Sequence, residues 1–194
     1  DSFEKINKPI RVPLDLGEER LLLPPSLVND KKITIKELLL PILERGKANA
    51  KLSNREWTQP TLWPEWALVS ISPKYAIIAE IVANLLENAF KYAADNVEIG
   101  IIATAKGLCI FDNGKKITKK ENMKIFQKGF RGSASKKTEG SGVGLYLARK
   151  LAQQIGGDLI LLDNPINTNE KEMQVINKKK NVFYLELPIK KLHI

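Results

Sequence analysis

The sequence predicts an α+β fold, a two-layer sandwich, from three observations. Segments with a 3.6-residue apolar period alternate with short apolar runs of strand length. Several of those runs are joined by tight turns, and no internal repeat is present. A chain of 194 residues, 43% apolar and 27% charged, suits one ordinary domain or one domain with a short appendage. That apolar content excludes a disordered chain, and 12 Gly and 10 Pro exclude collagen-like or low-complexity sequence.

Residues 1 to 33, broken by Pro9, Pro13, Pro24 and Pro25, read as a connector or N-terminal appendage, which leaves 34–194 as the domain. Thr34 to about Ala50 is a helix with Ile35, Leu38, Leu39, Ile42 and Leu43 on one side and a kink expected at Pro41. Trp57, Trp63 and Trp66 lie among Pro60 and Pro64 and suggest short strands whose indoles pack on the sheet; Ala67 to Ser70 reads as a strand. Ser72-Pro73 opens a second helix, which runs to about Ala93 and buries Ile78, Val82, Leu85, Leu86 and Ala89. Val97–Thr104 and Leu108–Phe111 flank Lys106-Gly107 as a hairpin. From Asp112 to Gly144 a long mobile loop is expected, with one short helix near Met123–Gln127. Gly144–Ile155 is an amphipathic helix stopped by Gly156-Gly157. Asp158–Leu162 and Val182–Leu187 are strands, separated by a polar surface loop from Asn164 to Lys180.

No apolar run approaches the roughly 18 residues needed to span a bilayer. Asp1-Ser2-Phe3-Glu4 has neither the basic start nor the apolar stretch of a secretory leader, and a missing initial Met points to a fragment or processed chain. The single cysteine, Cys109, excludes an intrachain disulfide or a thiolate zinc cluster, reads as a small core residue and fits a reducing cytoplasm. Charge is uneven. Between Lys115 and Lys137 nine Lys and Arg face the single acid Glu121, so this stretch holds +8 of the net +9 and calls for an anionic partner.

Three motifs carry chemistry. In the second helix Glu80, Asn84 and Asn88 recur every four residues, with Lys91 back near the same azimuth and Tyr92 beside it. Exposed helix faces usually carry Lys or Glu, and Asn is a poor helix former, so this pair is odd. Amide oxygens are hard, neutral ligands suited to Mg²⁺ that shares phosphate oxygens, and Lys91 can neutralise a phosphate. Asp112-Asn113-Gly114 follows an apolar strand; it is either a plain turn or a carboxylate placed to accept from an exocyclic amine. Gly140-Ser141-Gly142-Val143-Gly144-Leu145 directly precedes a helix and can turn backbone amides toward an anion, a flexible linker being the alternative. It matches neither a P-loop nor G-x-G-x-x-G.

In this fixed order the motifs resemble the catalytic, ATP-binding domain of two-component sensor histidine kinases, part of a superfamily shared with gyrase, heat-shock chaperone and mismatch-repair ATPases. The resemblance covers about Ala67 to Pro188. Asn84 to Tyr92 resembles the N box, and Phe111-Asp112-Asn113-Gly114 the first glycine box. Ile125-Phe126 with Phe130-Arg131-Gly132 resembles the F box, and Gly140 to Leu145 the second glycine box. Details of the first and third resemble cyanobacterial and plastid sensor kinases. The resemblance implies a Bergerat ATP-binding fold, a mixed and mainly antiparallel sheet packed against helices, with ATP and Mg²⁺ as cofactors. It implies Asn88 as principal metal ligand with Asn84 assisting, Lys91 and Arg131 on phosphate oxygens, and Tyr92 near the nucleotide. It gives Asp112 the adenine amino group, Gly114 room for the base, and Gly140, Gly142 and Gly144, with Ser141, Val143 and Leu145, the phosphate cradle. Phe126 and Phe130 would anchor an ATP lid to the core or to a partner helix.

Within that superfamily the hydrolytic members carry a glutamate four residues before the metal asparagine, where this chain has Asn84. An amide cannot take a proton, whereas a histidine acceptor is already nucleophilic at neutral pH, so phosphoryl transfer to histidine is favoured over hydrolysis. Glu80, one turn further away, reads as solvent-facing or as a support behind the ligands. Two departures stand out. Lys116 replaces the second glycine of the first glycine box, at a cost of roughly 1–2 kcal/mol if that site is left-handed. The only histidine, His193, is penultimate and has no helical context, so the acceptor is expected on a separate dimerisation domain, with a response regulator downstream. The alternatives are a degenerate nucleotide-binding scaffold, suggested by Lys116, and a basic nucleic-acid-binding module, suggested by the +8 stretch. The latter leaves the glycines and the Asn84–Asn88 pair without a role, so nucleic acid is not expected as a partner.

Overall fold

The computed structural model describes residues 11–13, 19–21, 32–132, 141–163 and 176–193. Most of the expected appendage, Gly140 and the stretches 133–140 and 164–175 lie outside the described residues. Strands β1 (Arg11–Pro13) and β2 (Glu19–Leu21) pair antiparallel as a separate ribbon. The main sheet has five strands in the order β3-β4-β5-β7-β6: β3 (Glu56–Thr58), β4 (Glu98–Thr104), β5 (Gly107–Asp112), β6 (Asp158–Leu161) and β7 (Asn181–Glu186). Only β3–β4 among these pairs is parallel. The sheet is therefore mixed and mainly antiparallel.

Helices cover one face. α1 (Ile35–Leu52) starts at a capping box: Glu37 N donates to Thr34 Oγ1 at 3.1 Å, and Thr34 N donates back to Glu37 Oε2 at 2.9 Å. It continues across Pro41 to Leu52. α2 (Ile78–Tyr92) buries Ile78, Ile81, Val82, Leu85, Leu86 and Ala89, a stripe at helical spacing that removes most of its apolar surface from water. The turn that leads into it, Pro73–Ile77, is 3₁₀ rather than α, and Ser72 makes no side-chain cap. α4 (Gly144–Gln154) lays Ala148, Leu151 and Ala152 between α2 and β6 and ends at Gly156, whose φ is +84°. A short α5 (Ile189–Leu192) follows β7, and its Leu192 is buried. Ile99, Ile101, Leu108, Ile110, Leu159 and Leu185 complete the core from the sheet.

Two expectations are corrected. Residues 67–70 form no strand: a 3₁₀ turn, Glu65–Ala67, buries Trp66, whose Nε1 donates to Thr104 O at 3.0 Å. Leu68 and Val69 are left exposed while Ala67 is buried, and only Ser70 pairs, in an isolated bridge with Thr34. The short helix of the basic stretch is α3 (Lys119–Asn122), earlier than Met123–Gln127, because Thr118 and Glu121 form a second capping box. Cys109 is fully buried, as expected, and Trp57 stacks on Phe90 with ring centroids 6.2 Å apart. His193 pairs with Ile71 in an isolated bridge.

Candidate active site

Strand alternation decides where Asp112 points. Asp112, Ile110 and Leu108 occupy every second position of β5, so the carboxylate shares the helix-facing row of two core residues. Across the ladder Asp112 pairs with Asn181, itself in the row of Phe183 and Leu185. The two are 8% and 3% exposed. Asn181 Nδ2 donates to Asp112 Oδ1 and to Lys115 O, both at 2.9 Å, while Ile117 N donates to Asn181 Oδ1 at 2.9 Å. Gly114 N also donates to Asp112 Oδ1, at 2.9 Å. Both hydrogen bonds fall on one oxygen, which leaves Oδ2 for a ligand donor. Burial pushes the Asp112 carboxyl above the ordinary aspartate value, while the Asn181 and Gly114 donors and the Lys180 charge pull it back.

Gly114 is tightly placed, since a Cβ there would lie 2.8 Å from Asp112 Oδ1 and 3.2 Å from Ala93 Cα at the end of α2. Lys116 needs no left-handed backbone. Among the described non-glycine residues positive φ occurs at Asn54 and Asn96, so the expected strain is absent at Lys116.

The other end of the cleft lies between α2 and the start of α4. Asn84 and Asn88, one turn apart and half-buried, face Gly144: a Cβ on that glycine would stand 3.1 Å from Asn84 Oδ1 and 3.5 Å from Asn88 Nδ2. Asn88 Nδ2 is buried and has no hydrogen-bond partner among the described residues. Among the described residues no side chain caps α4 at Val143, which leaves the N–H groups of its first turn facing the two amides without a side-chain partner. Gly142 has φ +71° and packs on the backbone of the F-box stretch, Gly129 N donating to Gly142 O at 3.1 Å. Lys91, Tyr92, Phe130 and Arg131 line the same cleft of about 280 Å³, as do Ser141, Gly142, Gly144 and Leu145. Lys91 Nζ lies 5.7 Å above the Tyr92 ring.

Two predicted residues lie elsewhere. Phe126 packs edge-on against Phe183 at 6.4 Å with Arg149 4.9 Å from its ring, and it lines a different surface hollow. Val143 sits at the helix start without lining the cleft. Glu80 is half-buried, with its Oε1 shielded from solvent. Sequence reasoning missed Asn181, along with the apolar floor of Ile117, Ile125 and Phe183 and the acids Glu87 and Glu121 at the rim. Asn181 falls between the expected polar loop, which ends at Lys180, and the expected strand from Val182; the cross-strand register is the signal that reveals it.

The profile of the histidine kinase-, DNA gyrase B- and HSP90-like ATPases matches residues 74–191. The chain belongs to this ATPase family. Over 140 residues it is 32% identical to the sensor histidine kinase Hik2 of Thermosynechococcus vestitus, covering 68% of this chain and 35% of that protein. Over 135 residues it is 33% identical to the histidine protein kinase SaeS of Staphylococcus epidermidis, covering 66% and 38%. The chain thus spans little more than a third of the length of these relatives. In fold it is similar to the catalytic domain of histidine kinase ThkA, with TM-score 0.57 and 21% identity over 82% of this chain and 96% of that one. The mycobacterial sensor histidine kinase MprB gives TM-score 0.54 and 19% identity over 79% and 96%. This ATPase-family member therefore has the mixed α+β architecture of sensor-kinase ATP-binding domains.

Proposed function

We propose that this chain binds Mg-ATP in the cleft between α2, β5, β7 and α4 and presents the γ-phosphoryl group to a histidine on a separate dimerisation domain, for relay to a response regulator. Residues 34–194 form the catalytic and ATP-binding domain in this reading, and residues 1–33 the connector. One observation carries it: a single cleft holds a buried carboxylate with a free oxygen at one end and two facing asparagine amides beside an uncapped helix start at the other. Asp112 accepts the adenine amine, and Gly114 leaves space for the base. Lys91 and Arg131 neutralise phosphate oxygens, and the backbone amides that begin at Ser141 cradle them.

The donor set fits a magnesium ion. Asn84 and Asn88 offer hard, neutral oxygens one turn apart, and the Asn88 amide is not fully engaged within the chain. These two residues would hold the ion, which when bound draws charge from the phosphates. In such a transfer the protein mainly positions phosphates and stabilises charge, and Asn84 supplies no base for water. No helix among the described residues is long and apolar enough to cross a membrane, and a cytoplasmic site of action accords with an ATP-dependent domain. The test is thermal stabilisation by ATP with Mg²⁺, measured against GTP and in Asp112→Asn. An ATP-selective shift that disappears in the variant is expected; equal shifts with both nucleotides, or none, would overturn the reading.

A further inference from the structure

We propose that Asn181 is a positioning residue that couples recognition of the base to the path of the segment leaving β5, so that one buried amide sets both the Asp112 carboxylate and the beginning of the basic stretch. The inference rests on the nucleotide reading above for its first half and on hydrogen bonding alone for its second. Asn181 spends both terminal atoms on three contacts: its Nδ2 holds Asp112 Oδ1 and Lys115 O, and its Oδ1 takes the Ile117 N–H. The chain is therefore pinned on both sides of Lys116, and no left-handed residue is needed to turn it.

A reciprocal clasp steadies the same junction. Asn113 Oδ1 accepts from Lys180 N at 3.1 Å, and Asn113 N donates to Glu98 O at 2.9 Å. The Glu98 carboxylate accepts from Thr58 Oγ1, Asn113 Nδ2 and Lys179 Nζ. Two asparagines thus cross-tie the ends of β5 and β7 in opposite directions, and Asn181 is the one that reaches into the cleft. A buried amide with both atoms engaged holds its neighbours in a single arrangement, since each lost bond would leave a polar group stranded.

The experiment compares wild-type chain with Asn181→Leu, which keeps the branched shape of the side chain and removes all three bonds. Binding of ATP and of inosine triphosphate, which lacks the exocyclic amine, is measured by calorimetry. Amide exchange at Ile117 is measured without nucleotide. Asn181→Leu should weaken ATP about tenfold or more, leave inosine triphosphate within about twofold, and speed exchange at Ile117. Equal loss of both nucleotides, or unchanged exchange at Ile117 in Asn181→Leu, would overturn the coupling. Wild-type chain that binds neither nucleotide would instead sink the nucleotide reading and the base-orienting half with it, and Ile117 exchange would still decide the other half.

Discussion

At the Asp112 end of the cleft both terminal atoms of Asn181 are engaged and the carboxylate is almost fully buried, whereas at the Asn84–Asn88 end a buried amide N–H has no partner among the described residues and Lys91 and Arg131 reach solvent. On the proposed reading, the contrast follows from what each end has to recognise. A base offers neutral, directional hydrogen bonds of about 1 kcal/mol each, which discriminate only if the protein group is already held in place. A triphosphate carries several charges that attract cations and helix N–H groups over a wide range of geometries, so its end of the site needs less prior order. One end is built before the ligand arrives; the other is completed by it.

The largest test strikes the incomplete end. Asn88→Ala should reduce Mg-dependent ATP affinity by about a hundredfold or more while the thermal midpoint without ligand stays near wild type, because Asn88 Nδ2 makes no hydrogen bond to lose. Unchanged calorimetric affinity would break the comparison. Next, Asp112→Asn should cost about tenfold or more in ATP affinity and erase the preference over GTP, since an amide N–H opposes the adenine amine. It should not weaken the apo fold, because it removes a carboxylate that burial disfavours.

The pH dependence sharpens the same point. Asp112 has its carboxyl raised in the folded state, so protonation favours the apo fold and this group's contribution to apo stability grows as pH falls through the raised value. The adenine amine needs the carboxylate. ATP-dependent stabilisation should therefore shrink as pH falls through that raised value, and differential scanning should show no such group-specific loss in Asp112→Asn. A smaller effect is expected far from the cleft. Asp158, lowered first by its hydrogen bond from Arg149, contributes stability present at neutral pH and lost on acidification. Partly exposed, it should lose only about 0.5–1 kcal/mol in Asp158→Asn by urea unfolding, with ATP affinity unchanged.

Much of this was legible from the chain alone. The buried stripe of α2, the Thr104–Gly107 turn of the hairpin and the helix stop at Gly156 follow from periodicity and turn chemistry, and the structure repeats them. The asparagine pair was visible because two amides one turn apart are out of place on an apolar helix. The Thr118–Glu121 capping box was overlooked: the short helix was expected near Met123–Gln127, and α3 begins at the box instead. Ala67–Ser70 misled because an apolar run carries no sign of which face will be covered.

By itself the sequence determined the elements and the chemical character of the site, since helical period, strand alternation, caps and unusual polar residues act over a few neighbouring positions. Only the tertiary structure decided that Asn181 stands opposite Asp112, that Gly144 closes on Asn84 and Asn88, and that Lys116 sits in ordinary backbone. Those depend on register and on the distance between elements far apart in the chain, which are set by how the whole core packs and leave no local mark on the residues concerned.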